Sequence, residues 1–278
     1  MSYSAEVSRS NPACFLFLID QSGSMSDPWG KESSKKIAEG VADIINKLLQ
    51  NLIIKCAKSE GVRDYFDIGV IGYGAFVGSA FSGPLAGKDL VRISEVANLP
   101  ARIEDRKKKV DDGAGGILEQ TVRFPIWFEP IANGATPMCQ VLAYAHSILQ
   151  NWLVEHPTSF PPIVINITDG EATDGDPSKP AQELMNLSST DGNVLLFNIH
   201  TSSNKATPIT FADQETNLPD EFAKLLFTMT SELPKYMRAL AQKEGFPVTT
   251  TTRGFVFNAK PVELISFLDI GTRASNLR

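Results

Sequence analysis

Cys14-Phe-Leu-Phe-Leu-Ile-Asp20-Gln-Ser-Gly-Ser24 joins an uninterrupted apolar run to three side chains that can supply oxygen ligands. The apolar part does not alternate with polar residues, which is typical of a central strand covered on both faces. Asp20 lies where this strand leaves the interior, and Ser22 and Ser24 follow it on one tight turn. Since Asp, Ser and Gly also form ordinary turns, the stretch predicts a binding site only if matching residues occur elsewhere.

Two later segments supply further oxygen ligands at comparable places. The apolar run at residues 162–168 also lacks alternation, and Asp169 follows it directly. Because parallel strands end at the same edge of a sheet, Asp20 and Asp169 are expected to face each other. Thr136 precedes Pro137, which suits the first turn of a helix, and the following residues have the three-to-four spacing of an amphipathic helix.

The three loops together offer two carboxylates and three hydroxyls, with neither a thiolate nor an imidazole. Such an oxygen set favours Mg²⁺, Mn²⁺ or Ca²⁺ over zinc or copper. Each hydroxyl alone could instead belong to a turn or a helix cap, but two facing carboxylates without a cation would repel and raise each other's pKa. We therefore predict a divalent-metal site, with Mg²⁺ as the first choice and Mn²⁺ or Ca²⁺ as alternatives. Its predicted ligands are Asp20, Ser22, Ser24, Thr136 and Asp169.

Much of the remaining chain alternates between apolar strands and amphipathic helices. Strands are predicted around residues 65–73, 193–200 and 254–258, and helices around 37–52, 138–152, 180–188, 218–244 and 262–268. This alternation predicts an α/β fold, with a doubly wound, mostly parallel central sheet and helices on both faces in a Rossmann-like arrangement. The ligand site of such a fold lies at the carboxyl edge of the strands, where the three loops are expected.

The segment 81–131 separates two of these elements and is predicted to be a hairpin-like insertion near the metal-binding edge. It contains strand-like pieces at 90–96 and 121–128 around a polar tract at 104–113. The lysines of this tract are predicted to lie in a solvated turn, with a docking patch for an acidic partner as the alternative. No internal repeat or low-complexity linker occurs, so the chain is predicted to be a single domain, 1–278, with this insertion.

Composition limits the class of protein. Hydrophobic residues make up 42% and charged residues 21%, which is ordinary for a globular protein, and no run reaches the length of a membrane span. The three cysteines lack a metal-binding spacing, and the N-terminus lacks a secretory pattern, so we expect a soluble protein of the cytoplasm. A net charge of -6 argues against nonspecific nucleic-acid binding.

The five predicted ligands resemble the metal-ion-dependent adhesion site of the von Willebrand factor A domain. Asp20, Ser22 and Ser24 match its first loop, Thr136 its second and Asp169 its third. The resemblance implies that the hydroxyls touch the metal directly or through one water, and that the aspartates do so directly or through water. It also implies that an Asp or Glu of another protein completes the metal shell.

Further stretches resemble a bacterial cytoplasmic group of these domains that is related to the tellurium-resistance-associated proteins. They are residues 134–138, 160–170 and 254–259. Members of this group are often encoded beside a protein phosphatase and a protein kinase. The resemblance therefore implies an adaptor or scaffold in stress or defence signalling, without enzymatic activity and with a co-encoded kinase or phosphatase as a candidate partner. It also implies that the closing helix, near 262–270, shifts when the metal coordination changes.

A magnesium-dependent hydrolase or phosphoryl-transfer enzyme is the alternative function, since Mg²⁺ held by aspartates on a doubly wound sheet is also an enzyme design. The first loop lacks a second aspartate two positions after Asp20, and the sequence lacks a phosphate-binding glycine-rich loop with lysine. Cys139 could be a nucleophile and His200 a general base, but packing is preferred for Cys139, and the spacing shows no Ser-His-Asp or Cys-His arrangement that would make His200 catalytic. Trp29 could form an apolar rim of the site or pin its loop against the first helix.

Overall fold

The computed structural model describes residues 3–29, 35–111, 117–201, 206–259 and 261–271. Within these ranges the chain alternates between strands and helices over much of its length. The strands are β1 (Ala13–Asp20), β2 (Ala57–Lys58), β3 (Gly61–Val62), β4 (Phe66–Tyr73), β5 (Val77–Ser79), β6 (Val91–Arg92), β7 (Arg102–Asp111), β8 (Ile117–Ile126), β9 (Ile163–Thr168), β10 (Leu195–His200), β11 (Ile209–Thr210) and β12 (Phe255–Phe257). The helices are α1 (Ile37–Cys56), α2 (Ile93–Asn98), α3 (Met138–Glu155), α4 (Ser178–Asn186), α5 (Glu221–Thr228), α6 (Lys235–Lys243) and α7 (Pro261–Gly271).

One mixed sheet forms the centre of the fold. Its strand order is β11-β12-β10-β9-β1-β4-β5, and β6 also pairs with β4. The five strands from β12 to β4 run parallel to one another, whereas β11, β5 and β6 pair antiparallel. From β1, in the middle of the sheet, the chain first adds β4 on one side and later adds β9, β10 and β12 on the other, so the sheet is doubly wound. The predicted α/β fold with a mostly parallel sheet is confirmed.

Strand β1 lies between two helical layers, which explains its uninterrupted apolar sequence. All eight of its residues are buried, and their side chains alternate between the layers. Phe15, Phe17 and Ile19 pack with α1, α6 and α7, and Cys14, Leu16 and Leu18 pack with α3, α4 and α5. Fully burying one such large apolar side chain contributes about 1.5–3 kcal/mol, so a charge within either face would be costly. Helices on both faces of the sheet are thereby confirmed.

Helix α1 also anchors the segment that leads toward the second predicted metal loop. The side chain of Asn46, which is 1% exposed, accepts hydrogen bonds from the backbone N–H groups of Trp127 at 2.9 Å and Phe128 at 3.1 Å. Its amide nitrogen donates to the Phe128 carbonyl at 2.8 Å. After β8 ends at Ile126, three hydrogen bonds of one buried side-chain amide therefore hold the backbone of the next two residues.

The strand-like piece predicted at 90–96 is mostly helical. Only Val91 and Arg92 form a strand, and α2 begins at the next residue. The Asp64 carboxylate accepts a hydrogen bond from the Ser94 N–H at 3.0 Å, which satisfies a donor of the first helical turn. This partner lies thirty residues earlier in the chain, so the helix start was not visible in the local sequence.

Residues 104–111 of the polar tract lie in a strand, and the predicted solvated turn for its lysines is wrong. Residues 102–111 of β7 pair with 117–126 of β8 in an antiparallel hairpin. Arg106 fastens this hairpin to α1, because its guanidinium lies 3.9 Å from the centre of the Phe124 ring and 2.8 Å from the Asp43 carboxylate. The side chains of Lys108 and Lys109 lie outside the described part of the structure.

The remaining predicted elements differ only in their bounds. The helical stretches predicted through 218–244 are two helices, α5 and α6. Pro234 directly precedes α6, and its ring cannot be accommodated in the interior of a continuous helix. Among the described residues, none of the helices has the length and apolar character needed to cross a membrane.

Candidate metal centre

Strands β1 and β9 bring the first and third predicted loops together. The two strands are neighbours and run parallel, with Ile19 paired to Ile167. Asp20 and Thr168 therefore end the two strands at the same level, and Asp169 follows one residue later. The carboxyl edge of the sheet holds both aspartates, as the sequence predicts.

The carboxylate of Asp20 is buried and held at both oxygens. Oδ1 accepts a hydrogen bond from the Ser22 N–H at 2.8 Å, and Oδ2 accepts one from the Thr168 hydroxyl at 2.7 Å. Burial raises the pKa of Asp20 to about 6, and the neighbouring charge of Asp169 acts in the same direction. The hydrogen bonds oppose this rise only in part. Asp20 is thus a buried acidic group in a fixed position, and burial and the charge of Asp169 both disfavour its charged form.

The two serines of the first loop present their hydroxyls side by side. Ser22 Oγ and Ser24 Oγ are 3.0 Å apart, on a short 3₁₀ turn that begins at Gly23. The Gly23 N–H donates to the carbonyl of Gly134 at 3.0 Å, which ties this loop to the second one. Two adjacent oxygen donors therefore face the same region of the edge.

Thr136 is 5% exposed and is fastened to the third loop by a reciprocal pair of bonds. Its N–H donates to the Thr173 hydroxyl at 3.0 Å, and the Thr173 N–H donates to the Thr136 carbonyl at 3.0 Å. The cap of α3 comes from Asp174, whose carboxylate accepts the N–H groups of Cys139 at 3.0 Å and Gln140 at 2.9 Å. Sequence reasoning missed this role of Asp174, since a cap supplied from another loop leaves no local pattern.

Two glycines allow the loops to approach closely. A Cβ on Gly74 would lie 2.6 Å from the Asn133 carbonyl oxygen and 2.7 Å from that of Gln21. Gly134 has a φ of +94°, and a Cβ there would lie 2.3 Å from the Ala75 nitrogen. The turn after β4 is therefore a fourth part of the site, which sequence reasoning did not identify.

The loops enclose a cleft of about 540 Å³. Four of the five predicted ligands line it. Asp20 does not line it, but its carboxylate accepts a hydrogen bond from the N–H of Ser22, which does. The other polar or aromatic side chains that line the cleft are Asp27, Glu171, Thr173, Thr201, Asp220 and Phe222. None of the described residues of the 81–131 segment contributes to the lining.

The donor set fits a hard divalent cation. Hydroxyl and carboxylate oxygens predominate, and none of the described residues lining the cleft is Lys or Arg, so the chain there offers no counter-charge to Asp20 and Asp169. Within the described ranges, no group of three or more His, Cys, Asp or Glu residues could hold a metal. A metal at this cleft would therefore depend on the hydroxyls of Ser22, Ser24 and Thr136.

The two candidate catalytic residues are poorly suited to chemistry in the cleft. Burial and the charge of Asp174 raise the pKa of the Cys139 thiol to about 11, so little thiolate forms at neutral pH. His200 Nε2 lies 2.6 Å from the Asp169 carbonyl oxygen, and burial lowers the pKa of this imidazole. Neither residue lines the cleft.

Trp29 packs on the first helix. A Cβ on Gly40 of α1 would lie 1.9 Å from an atom of the Trp29 ring. The indole therefore occupies the space above this glycine, and Trp29 is not among the residues that line the cleft. Of the two predicted roles, the structure favours pinning of the first loop.

A larger cleft, of about 1080 Å³, lies at the other end of the parallel strands, where β1 and β4 begin. Its three aspartates, Asp64, Asp67 and Asp89, accept hydrogen bonds within the protein. Asp67 accepts a hydrogen bond from the Trp152 indole at 2.8 Å, and Asp89 accepts one from the Tyr144 hydroxyl at 2.8 Å. None of the five predicted ligands lines this cleft, so chemistry favours the smaller one despite the difference in size.

Comparison with known proteins identifies no family: no family model and no curated protein match the chain. The solved structures that are similar include two of one bacterial protein. One contains three N-terminal domains of the type V pili tip protein Mfa5 from Porphyromonas gingivalis (16% identity, TM-score 0.32, 61% of this chain and 21% of that chain). The other is the vWF domain of the same tip protein (15% identity, TM-score 0.30, 58% of this chain and 39% of that chain). This chain thus spans well under half the length of either, and the fold assignment rests on the strand order and parallel pairing.

Proposed function

We propose that this chain is a metal-ion-dependent protein-binding module. In this proposal a divalent cation, Mg²⁺ in the first instance, is held by Asp20, Ser22, Ser24, Thr136 and Asp169. The observation that carries it is the cleft in which three hydroxyls and the Asp169 carboxylate meet beside the buried Asp20. When bound, the cation supplies an electrophilic position that an oxygen ligand can occupy.

The protein's own contacts prepare the ligands for this task. Ser22 and Thr168 hold the two oxygens of Asp20, so its carboxylate does not have to be ordered on binding. Thr136 is held through its backbone by Thr173, which leaves its hydroxyl available to the cleft. Such preorganisation lowers the entropic cost of binding.

The remaining coordination position is proposed for an Asp or Glu of a partner protein. Two aspartates balance the charge of a divalent cation, and neutral hydroxyls add none, so a further carboxylate can still be attracted. A site with more carboxylate ligands would repel it. We further propose that the chain serves as an adaptor or scaffold, with stress or defence signalling and a co-encoded kinase or phosphatase as the setting that the family resemblance implies.

Titration with Mn²⁺, followed by electron paramagnetic resonance, tests the metal site. Wild type is expected to bind the ion, Asp20→Ala to lose binding, and Thr136→Ala to bind roughly tenfold more weakly or worse, as for other losses of a metal-positioning group. The matched control is Thr121→Ala, because Thr121 is an exposed hydroxyl on β8. Equal affinity of the two threonine variants would contradict the ligand assignment.

Affinity capture from a native lysate then tests protein binding. The tagged chain is used with Mg²⁺, with EDTA, and as Asp20→Ala whose folding has been checked by circular dichroism. A protein recovered only by wild type with Mg²⁺ is the expected result. Equal recovery under all three conditions would mean that another surface binds the partner, and would contradict metal-bridged recognition.

A further inference from the structure

The rim of the proposed metal cleft is acidic. Its lining includes four carboxylates, which belong to Asp27, Asp169, Glu171 and Asp220. None of the described lining residues carries a cationic side chain. Lys224, on α5, donates to the Glu221 carboxylate at 2.7 Å and also interacts electrostatically with Asp220 of the lining. The described rim therefore has a strongly one-sided charge.

The carboxylate of Asp220 has a fixed position because this residue is the N-cap of α5. The Asp220 carboxylate accepts a hydrogen bond from the Ala223 N–H at 2.8 Å, at the start of α5. Phe222, in the same turn, also lines the cleft and is 42% exposed. The first turn of α5 thus presents a negative charge and an apolar ring side by side.

Charge balance shows what this rim does to an approaching ligand. Asp20 and Asp169 together balance a divalent cation, so the metal does not offset the charges of Asp27 and Glu171; the charge of Asp220 is partly offset by Lys224. A sphere with the volume of the cleft is about 10 Å across, close to the Debye length of about 8 Å at physiological ionic strength, so salt screens these charges only partly. An acidic ligand group has to pass through a negative field before it reaches the metal.

We infer that the partner segment carries a single Asp or Glu flanked by Lys or Arg, with an apolar side chain beside the acidic residue. This inference rests on the proposed function. The basic flanks face Asp27 and Glu171, and the apolar side chain packs on Phe222. A segment rich in acidic residues is rejected by the same rim, which makes the rim a determinant of partner choice.

Synthetic peptides test this inference directly. Each has a central Glu next to a Leu and, on both sides, two Lys, two Ser or two Asp residues; a further Lys-flanked peptide has Gln in place of Glu. Fluorescence anisotropy measures binding to the full chain with Mg²⁺ at low salt. Since one exposed charge pair changes affinity by about two- to fivefold, two such pairs are expected to make the Lys-flanked Glu peptide bind about tenfold more tightly than the Ser-flanked one. The advantage is expected to shrink at high salt.

Variants of the chain separate the effect of the rim carboxylates on peptide binding from the effect of the protein's overall negative charge. Glu171→Gln and Asp27→Asn are each expected to lower the Lys-over-Ser preference about two- to fivefold. Glu155→Gln is the matched control, because Glu155 is an exposed carboxylate that lines the cleft at the opposite end of the strands. An equal effect of all three variants would overturn the inference.

The Mn²⁺ titration distinguishes failure of the proposed metal site from failure of the inference about the acidic rim. If wild type does not bind Mn²⁺, the proposed function and this inference both fail. If Mn²⁺ binds but Lys- and Asp-flanked Glu peptides have equal affinity, only the inference on the rim is overturned. If the Lys-flanked Gln peptide binds as tightly as the Glu peptide, or binds equally in EDTA, the contact is a simple attraction between charged surfaces, and the inference is likewise overturned.

Discussion

Gly74 offers a direct test of how the loops of the proposed site are held together. The Cβ of an alanine at this position would lie 2.6 Å from the backbone carbonyl oxygen of Asn133 and 2.7 Å from that of Gln21. Both neighbours are backbone atoms, so neither can rotate away as a flexible side chain would. The Asn133 N–H also donates to the Gln21 carbonyl at 2.6 Å, and separating the loops would weaken this bond.

The expected cost of Gly74→Ala follows from these contacts. Overpacking of a close-packed site costs about 1–3 kcal/mol, and loss of one backbone hydrogen bond adds about 1 kcal/mol. We therefore expect the free energy of unfolding to fall by about 2–4 kcal/mol, which lowers Tm by roughly 3–7 °C for a chain of this size. Gly78→Ala is the matched control in the same hairpin, because a Cβ there meets no described atom within 4 Å. It is expected to be neutral or to stabilise by up to about 1 kcal/mol.

Urea titration and thermal unfolding, followed by circular dichroism, measure the difference. Mn²⁺ affinity is measured in parallel, and Gly74→Ala is expected to weaken it at least about tenfold because the first and second loops move apart. Tm values of Gly74→Ala and Gly78→Ala within about 1 °C of each other would refute the close-approach argument, since a clash of even 1 kcal/mol would shift Tm by about 2 °C.

Further predictions concern the metal, the anchoring amide, pH and catalysis. EDTA should lower the stability of wild type, since Mg²⁺ at a hundred times its Kd contributes about 2.7 kcal/mol, whereas Asp20→Asn should show no response in a thermal scan. Asn46→Ala leaves the N–H groups of Trp127 and Phe128 buried without this partner and should cost about 2–4 kcal/mol in urea, whereas the exposed Asn98→Ala should cost less than about 1 kcal/mol. In EDTA, wild-type stability should fall as pH rises from 3.8 to about 6, because the folded state keeps the Asp20 proton that the unfolded chain has lost; the change is about 3 kcal/mol and should vanish in Asp20→Asn. No Mg²⁺-dependent turnover of a generic phosphate ester is expected, and turnover that Asp20→Ala abolishes would favour the enzyme alternative.

Much of the fold could be predicted because burial leaves a direct trace in sequence. Residues 14–19 and 163–167 lack alternation since both of their faces contact helices, and they form neighbouring parallel strands. The long helices α1 and α3 bury one face each, so their apolar spacing was visible over several turns. These signals are local, because each depends only on where successive side chains point.

The mistaken predictions concern elements whose partners lie far away in sequence. Helix α2 has six residues, too few for a clear period, and its first turn is satisfied by Asp64. Strand β7 carries charged residues that local preference assigns to a turn, but pairing with β8 and the contact of Arg106 with Phe124 stabilise the extended form. Neither contact can be inferred from a window of neighbouring residues.

The sequence by itself determined the parallel α/β core and which five residues are candidate metal ligands, because residue type and order decide both the apolar periodicity and the chemistry of the donors. Only the tertiary structure decided how those donors are held and what surrounds them. Gly74 and Gly134 permit the loops to meet, Asp174 caps α3 from the third loop, and Asp220 adds charge to the rim from α5. These are contacts between segments distant along the chain, and their geometry exists only once the strands have brought the loops to one edge of the sheet.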